Sequence, residues 1–180
     1  MHRHLKFIRM SVISLKGIEL AILLFVGTSG SVQIKNEEIM KVDTVVQSGD
    51  EAAIRALEDR FVAAFNAGDI DAMMKNYIGD ESLVVFDVVP RKQYLGADAY
   101  REDWVDFFSH FNGRPKIEIT ELGITVEGNI GFSHSRQHVT GTDIQGRPVD
   151  RWVRVTDGYR KIGGKWVIVQ EHVSVPAELK

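Results

Sequence analysis

From about Asp50 onward the chain is expected to fold as one α+β domain, a curved antiparallel sheet wrapped by N-terminal helices around a small pocket. Three observations carry this expectation. Apolar residues recur at helical spacing up to Phe111, they alternate at strand spacing after Lys116, and paired turn residues punctuate the second half. Helices followed by a strand meander place the helices on one face of the sheet. A chain of 180 residues with 44% hydrophobic and 26% charged residues has the composition of a single core-bearing domain.

The first helix is read from Ala53, Ile54, Leu57, Phe61, Ala64 and Phe65, with Arg55, Glu58, Asp59 and Arg60 between them. Ser48 or Asp50 supplies an N-cap oxygen, and Gly68 follows the last turn, where a left-handed residue is needed. Asp69 restarts a second helix, from Ile70 to about Tyr77. Leu83-Val84-Val85-Phe86 is short and β-branched, so it reads as a buried strand ending near Asp87, before a turn at Pro90. A third helix after Gly96 carries Tyr100, Trp104, Phe107, Phe108 and Phe111 on one face, and Asn112-Gly113-Arg114-Pro115 ends it.

After Lys116 the parity of the apolar residues changes, from Ile117 and Ile119 to Leu122, Ile124 and Val126, which implies a β-bulge and a bent sheet. Gly128-Asn129, Gln145-Gly146 and Gly163-Gly164 are turn signals that delimit strands near 130–141, 149–162 and 165–175. The organisation read this way is a leader or extension over 1–49, the domain over 50–176 and a tail over 177–180.

The leader has two readings. Arg3, Lys6, Arg9 and Lys16 precede an apolar run from Gly17 to Val26 and a small polar stretch, the order of a signal peptide. Glu19 interrupts the run, no Ala-x-Ala site follows, and Met40 can equally begin a cytoplasmic chain. The run is shorter than the roughly 20 residues a membrane span requires, so no stable span is expected.

A net charge of -3 supplies no basic field for nucleic acid. The absence of cysteine removes disulfides, thiolate nucleophiles and zinc thiolates. No Ser-His-Asp elbow, phosphate-binding glycine loop or His-Glu-x-x-His helix is present, and no cofactor is expected. His134 and His138 are four apart; in a strand that is about 13 Å, too far to share a metal ion.

Phe65-Asn66-Ala67-Gly68-Asp69, Tyr94-Leu95-Gly96-Ala97-Asp98-Ala99-Tyr100, Trp152 to Asp157 and Gly164 to Pro176 together resemble the nuclear transport factor 2-like superfamily, in its SnoaL-like or ketosteroid isomerase homologue branch. The resemblance covers about residues 50–176. It implies a cone-shaped curved antiparallel sheet with three N-terminal helices packed on its concave face, and pairing into homodimers through the convex face. Val149, Val153, Val155 and Tyr159 are the apolar patch expected on that convex face. One such fold hosts isomerases, dehydratases, cyclases and non-catalytic association domains.

Strand parity selects the candidate site. In the last strand Trp166, Ile168, Gln170, His172 and Ser174 share a face, and in the strand before it Asp150, Trp152, Arg154 and Thr156 do. His172 is the expected acid–base residue, since imidazole titrates near neutrality; holding the strand pair together is its alternative role. Asp87 is a second catalytic candidate, as a base at the cone mouth or as the cap of the turn before Pro90. Arg154 is expected to bind a carboxylate or enolate-like oxygen, or to pair with an acid. Trp152, Tyr94, Trp104 and His134 are expected to line the site, the aromatics serving equally as core. Ketosteroid isomerases use an aspartate base with tyrosine and a protonated aspartate as oxyanion donors; this sequence offers Asp87 and Tyr94 as residue types for those roles. The functional expectation is acid–base chemistry of isomerase, dehydratase or cyclase type on a small apolar, oxygen-bearing ligand, without metal. Its alternative is a non-catalytic ligand-binding or homodimeric association module.

Overall fold

The computed structural model describes residues 37–89, 91 and 93–176, with side chains from residue 49 onward. The leader residues up to 36, Pro90 and the tail over 177–180 lie outside the described residues.

Helix α1 spans Glu37–Ala67. Ser48 and Asp50 therefore lie inside it and do not cap it. Asp50 instead accepts from Lys161 Nζ at 2.6 Å and from the Trp166 indole at 3.0 Å, tying the helix to the final hairpin. The helix ends on Gly68 at φ 69°, where Gly68 N–H donates to Phe65 and Asp69 N–H to Ala64. This is the two-bond pattern of a left-handed helix stop, and glycine adopts it without Cβ strain. The Asp69 carboxylate then caps α2, Ile70–Met74, by accepting from Ala72 N–H. Asn66 bonds both backbone groups of Ile117, fixing the start of the third strand against the helix end.

Strands β1 (Val84–Phe86) and β2 (Tyr94–Leu95) precede α3 (Ala97–Ser109), and β3 (Lys116–Glu127), β4 (Ile130–Thr142), β5 (Pro148–Ile162) and β6 (Lys165–Ser174) follow as a meander. The sheet order is β2-β1-β6-β5-β4-β3, antiparallel except where β1 runs parallel to β6. Two-residue turns at Gly128-Asn129 and Gly163-Gly164 join the hairpins. The expected bulge in β3 is present: the register shifts between Thr120 and Gly123, and Glu121 has φ 53°.

A second bulge lies in β6. Tyr159 pairs with Ile168 while Gly158 pairs with Gln170, leaving Val169 as the extra residue. An inserted residue moves every later side chain to the opposite face. Trp166 and Ile168 are buried as parity predicts, but beyond Val169 it is Glu171 that is buried, and His172 is exposed.

The core lies between the helices and the concave face of the sheet. Phe65, 1% exposed, packs against Phe61, Trp104, Phe107 and Phe108 with ring centroids 5.2–6.3 Å apart, and so joins α1 to α3. Truncating such a ring to alanine costs about 3–5 kcal/mol. The aromatic layer leaves the open end of the cone unfilled, and the candidate site occupies that space.

Candidate functional site

A cavity of about 940 Å³ lies between α3, the β1–β2 segment and the concave face of β4–β6. Its wall is largely aromatic and aliphatic, from Phe61, Phe65, Trp104, Phe107 and Val173. Asp87, Tyr94, Tyr100, Asp103 and Glu171 supply a cluster of polar groups on the β1–β6 side. An apolar enclosure with a few convergent polar groups is the usual form of a small-molecule site.

Glu171 is the centre of that cluster. It pairs with Val85 in the parallel β1–β6 ladder and with Asp157 across β5–β6, so the carboxyls of Glu171 and Asp157 meet on the concave face. Tyr77 donates to Glu171 Oε2 at 2.7 Å, and Tyr100 makes a short bond to Oε1. Burial raises the Glu171 pKa to about 7, against the two tyrosine hydrogen bonds, which lower it. Both tyrosines are themselves pushed well above the ordinary phenol range by burial and by this carboxylate.

Behind Glu171 the network continues into the core. Asp157 is held well above the usual carboxylate range by burial and by its acidic neighbours Glu171 and Glu58. Its Oδ2 is 3.4 Å from Ser133 Oγ, while Oδ1 has no partner among the described residues. Ser133 is 2.8 Å from the Tyr159 hydroxyl, which donates to Glu58 at 2.6 Å. Burial also raises Glu58. Three buried acids and three tyrosines thus run from helix α1 to the cavity wall.

Asp87 lies just past β1 and lines the cavity, and Val88 N–H donates to its Oδ1. Its pKa is raised, chiefly by burial and then by Asp103. Asp103 accepts from the Tyr94 hydroxyl and is likewise raised by burial. The indole of Trp104 lines the cavity, and its buried N–H has no acceptor among the described residues.

Of the residues expected at the site, Asp87, Tyr94 and Trp104 line the cavity, and His172, Arg154, Trp152 and His134 do not. All four of the latter are exposed on the convex face. For His172 the cause is the Val169 bulge, which turns it outward; β5 has no bulge, and because its odd positions Val155, Asp157 and Tyr159 are buried, Trp152 and Arg154 face outward. Phe86 meets His172 edge-on, Trp152 stacks on His138 with ring centroids 4.3 Å apart, and His134 packs over Gly123. On that same inward face of β5, Val155 and Tyr159, expected on the convex surface, are 3% and 1% exposed in the core, and Val149 and Val153 line the cavity. Glu171, Tyr100, Asp157 and Glu58 are the polar residues that parity missed.

The sequence pattern of the SnoaL-like domain matches residues 54–178. The chain belongs to the SnoaL-like domain family. Its fold is that of the nuclear transport factor 2-like superfamily. An NTF2-like protein of unknown function from Pseudomonas putida shares 27% identity over 74% of this chain and 91% of its own, with a TM-score of 0.66. A nuclear transport factor 2-like superfamily protein from Salmonella enterica shares 18% identity over 74% and 95%, with a TM-score of 0.67. A ketosteroid isomerase-like protein from Erwinia carotovora shares 24% identity over 68% and 93%, at 0.58. No curated protein matches this SnoaL-like chain. Among its described residues no helix is long and apolar enough to cross a membrane, and no group of three potential metal-ligating side chains occurs.

Proposed function

We propose that this SnoaL-like domain is a small-molecule enzyme that moves a proton on an apolar, oxygen-bearing ligand. The convergence of Asp87, Tyr94, Tyr100, Asp103 and Glu171 on one side of a largely aromatic and aliphatic cavity carries the reading. Two carboxyls in different environments are what paired acid and base chemistry requires. Asp87 keeps one carboxylate oxygen free of the Val88 bond and serves as the base, taking a proton from carbon next to a ligand carbonyl. Glu171, raised by burial to about 7, is the acid of the pair, and on ligand binding the Tyr100 hydroxyl turns from Glu171 Oε1 to hydrogen-bond the oxygen on which negative charge develops. Return of the proton to a different carbon completes an isomerisation.

The test is deuterium exchange. A panel of cyclic ketones in heavy water, followed by proton NMR, reads abstraction next to the carbonyl without knowledge of the natural substrate. The expected result is catalysed loss of those proton signals, reduced about a hundredfold or more in Asp87→Asn. Exchange that is equal with and without protein, or equal in the variant, refutes the reading.

A second reading, a ligand-binding or association module, draws on the full occupation of both Glu171 oxygens by tyrosine hydroxyls. In either case we propose a homodimer through the convex face. Phe86, Phe132 and Trp152 are 40–52% exposed there and replace the valine patch expected from parity. Light scattering that returns the monomer mass refutes the dimer.

A further inference from the structure

Two donors in the cavity wall have no protein acceptor among the described residues, the buried Trp104 N–H and the exposed Arg151 guanidinium at the rim. Arg151 lines it from β5, opposite Val139 on β4 and two residues from both Val149 and Val153. Among the described residues Arg151 makes no side-chain hydrogen bond and no ion pair. Of the acids in the same wall, Glu102 is exposed and unpaired among the described residues, and Asp103, Asp106 and Glu171 have partners. Asp103 takes the Tyr94 hydroxyl, Asp106 lies 3.9 Å from His110, and Glu171 takes two tyrosine hydroxyls. The Trp104 N–H is buried without an acceptor, and it stands in the same wall. A solvent-exposed guanidinium flanked by Val149 and Val153 at the rim, with an unanswered indole N–H in the same cavity, suits a ligand that brings acceptor oxygens and negative charge.

Arg151 also sets a length. Glu171 faces Asp157, which lies further along β5 than Arg151, and at about 3.3 Å per residue the two backbones stand about 20 Å apart along the sheet. The Arg151 and Glu171 side chains therefore stand at opposite ends of the β5–β6 wall of the cavity.

We propose that the ligand is an apolar organic acid whose carboxylate is held at the rim by Arg151, with its carbonyl at the Asp87–Glu171 end of the cavity. This rests on the cavity being the ligand site proposed above. It gives the arginine role expected of Arg154 to Arg151, which shares its face of β5 with the buried Val155, Asp157 and Tyr159.

The probe is a series of cyclohexanones that carry, opposite the carbonyl, a carboxyalkyl tail of varied length, with each acid's methyl ester and the matching primary amine. Calorimetry with the intact protein at low salt gives the affinities. The expected result is an acid bound about tenfold more tightly than its ester, since a pair at a partly exposed rim is screened. That preference vanishes in Arg151→Gln and is partly kept in Arg151→Lys. Equal binding of acid and ester by the wild type, an unchanged preference in Arg151→Gln, tighter binding of the amine, or no binding by any acid overturns the proposal. Deuterium exchange on the ester separates the two ideas. Preference for the acid without exchange leaves the Arg151 site standing and removes the proton chemistry, and exchange without preference does the reverse.

Discussion

Glu171→Gln tests the buried acid network through stability alone, with no ligand needed. In the unfolded chain the group titrates near its ordinary value of 4.5, and in the folded cavity near 7. Between those values the folded state keeps a proton that the unfolded state has released, so stability falls as the pH rises. The Glu171 contribution is fully present below about pH 4.5 and is lost by the time the pH has passed about 7. At about 1.4 kcal/mol for each pH unit, that window amounts to about 3 kcal/mol. Glutamine keeps the shape and one acceptor oxygen but cannot ionise, and rearranging one tyrosine hydroxyl costs about 1–2 kcal/mol at every pH. Wild type is therefore the more stable protein near pH 5 and the less stable one near pH 9. Asp157 and Glu58 also have raised pKa values, and in the variant they lose a charged neighbour, which flattens the profile further in the same direction. Urea titrations of both proteins across this range give the difference directly. Parallel stability profiles, with a constant gap between wild type and variant, refute the placement of an ionisable Glu171 in a water-poor interior.

His172→Ala and Arg154→Ala lie on the convex face and are expected to leave ketone exchange within about twofold of wild type, which NMR rates check. Deleting Val169 removes the bulge and forces either the Trp166 and Ile168 pair or Glu171 and Val173 to the wrong face; loss of cooperative thermal unfolding is the expected outcome. Asp50→Ala removes the bonds to Lys161 and Trp166 and is expected to cost about 1–2 kcal/mol in urea titrations at neutral pH. Because those bonds hold the Asp50 pKa below its ordinary value, its contribution is present above about pH 4 and shrinks as the pH falls.

Elements whose apolar residues occupy one face only were legible in the sequence. The α1 and α3 stripes have that form, as do the two-residue turns, and so does the β3 bulge, where the change of parity from Ile119 to Leu122 can be seen directly. The β6 bulge was hidden because both parities of that strand are apolar: Trp166 and Ile168 on one, Val167, Val169 and Val173 on the other. Alternation cannot reveal a one-residue slip when either register buries apolar side chains. The start of α1 was misplaced for a different reason. Ser48 and Asp50 are good capping residues, yet Asp50 bonds instead to Lys161 and Trp166, residues far away in the chain.

A signal for the site was nonetheless present, in the acids rather than the histidines. Glu58 interrupts the apolar stripe of α1, and Glu171 shares its parity with Val167, Val169 and Val173. An acid on an apolar face either twists away to solvent or is kept because the interior supplies donors for it. The sequence also contains those donors, Tyr77, Tyr100 and Tyr159, but they come from a loop, a helix and a strand that only the folded cone brings together. Nothing local to Glu171 announces them. The bulge at Val169 and the tyrosines are therefore one device: the extra residue turns the carboxyl inward, and the hydroxyls make that orientation affordable. Removing either should free the same side chain, so Tyr100→Phe is expected to raise the Glu171 pKa further by deleting a bond that favours its ionised form. A carboxyl stretching band in infrared spectra whose midpoint moves to higher pH supports this pairing, and a midpoint that stays put or falls breaks it.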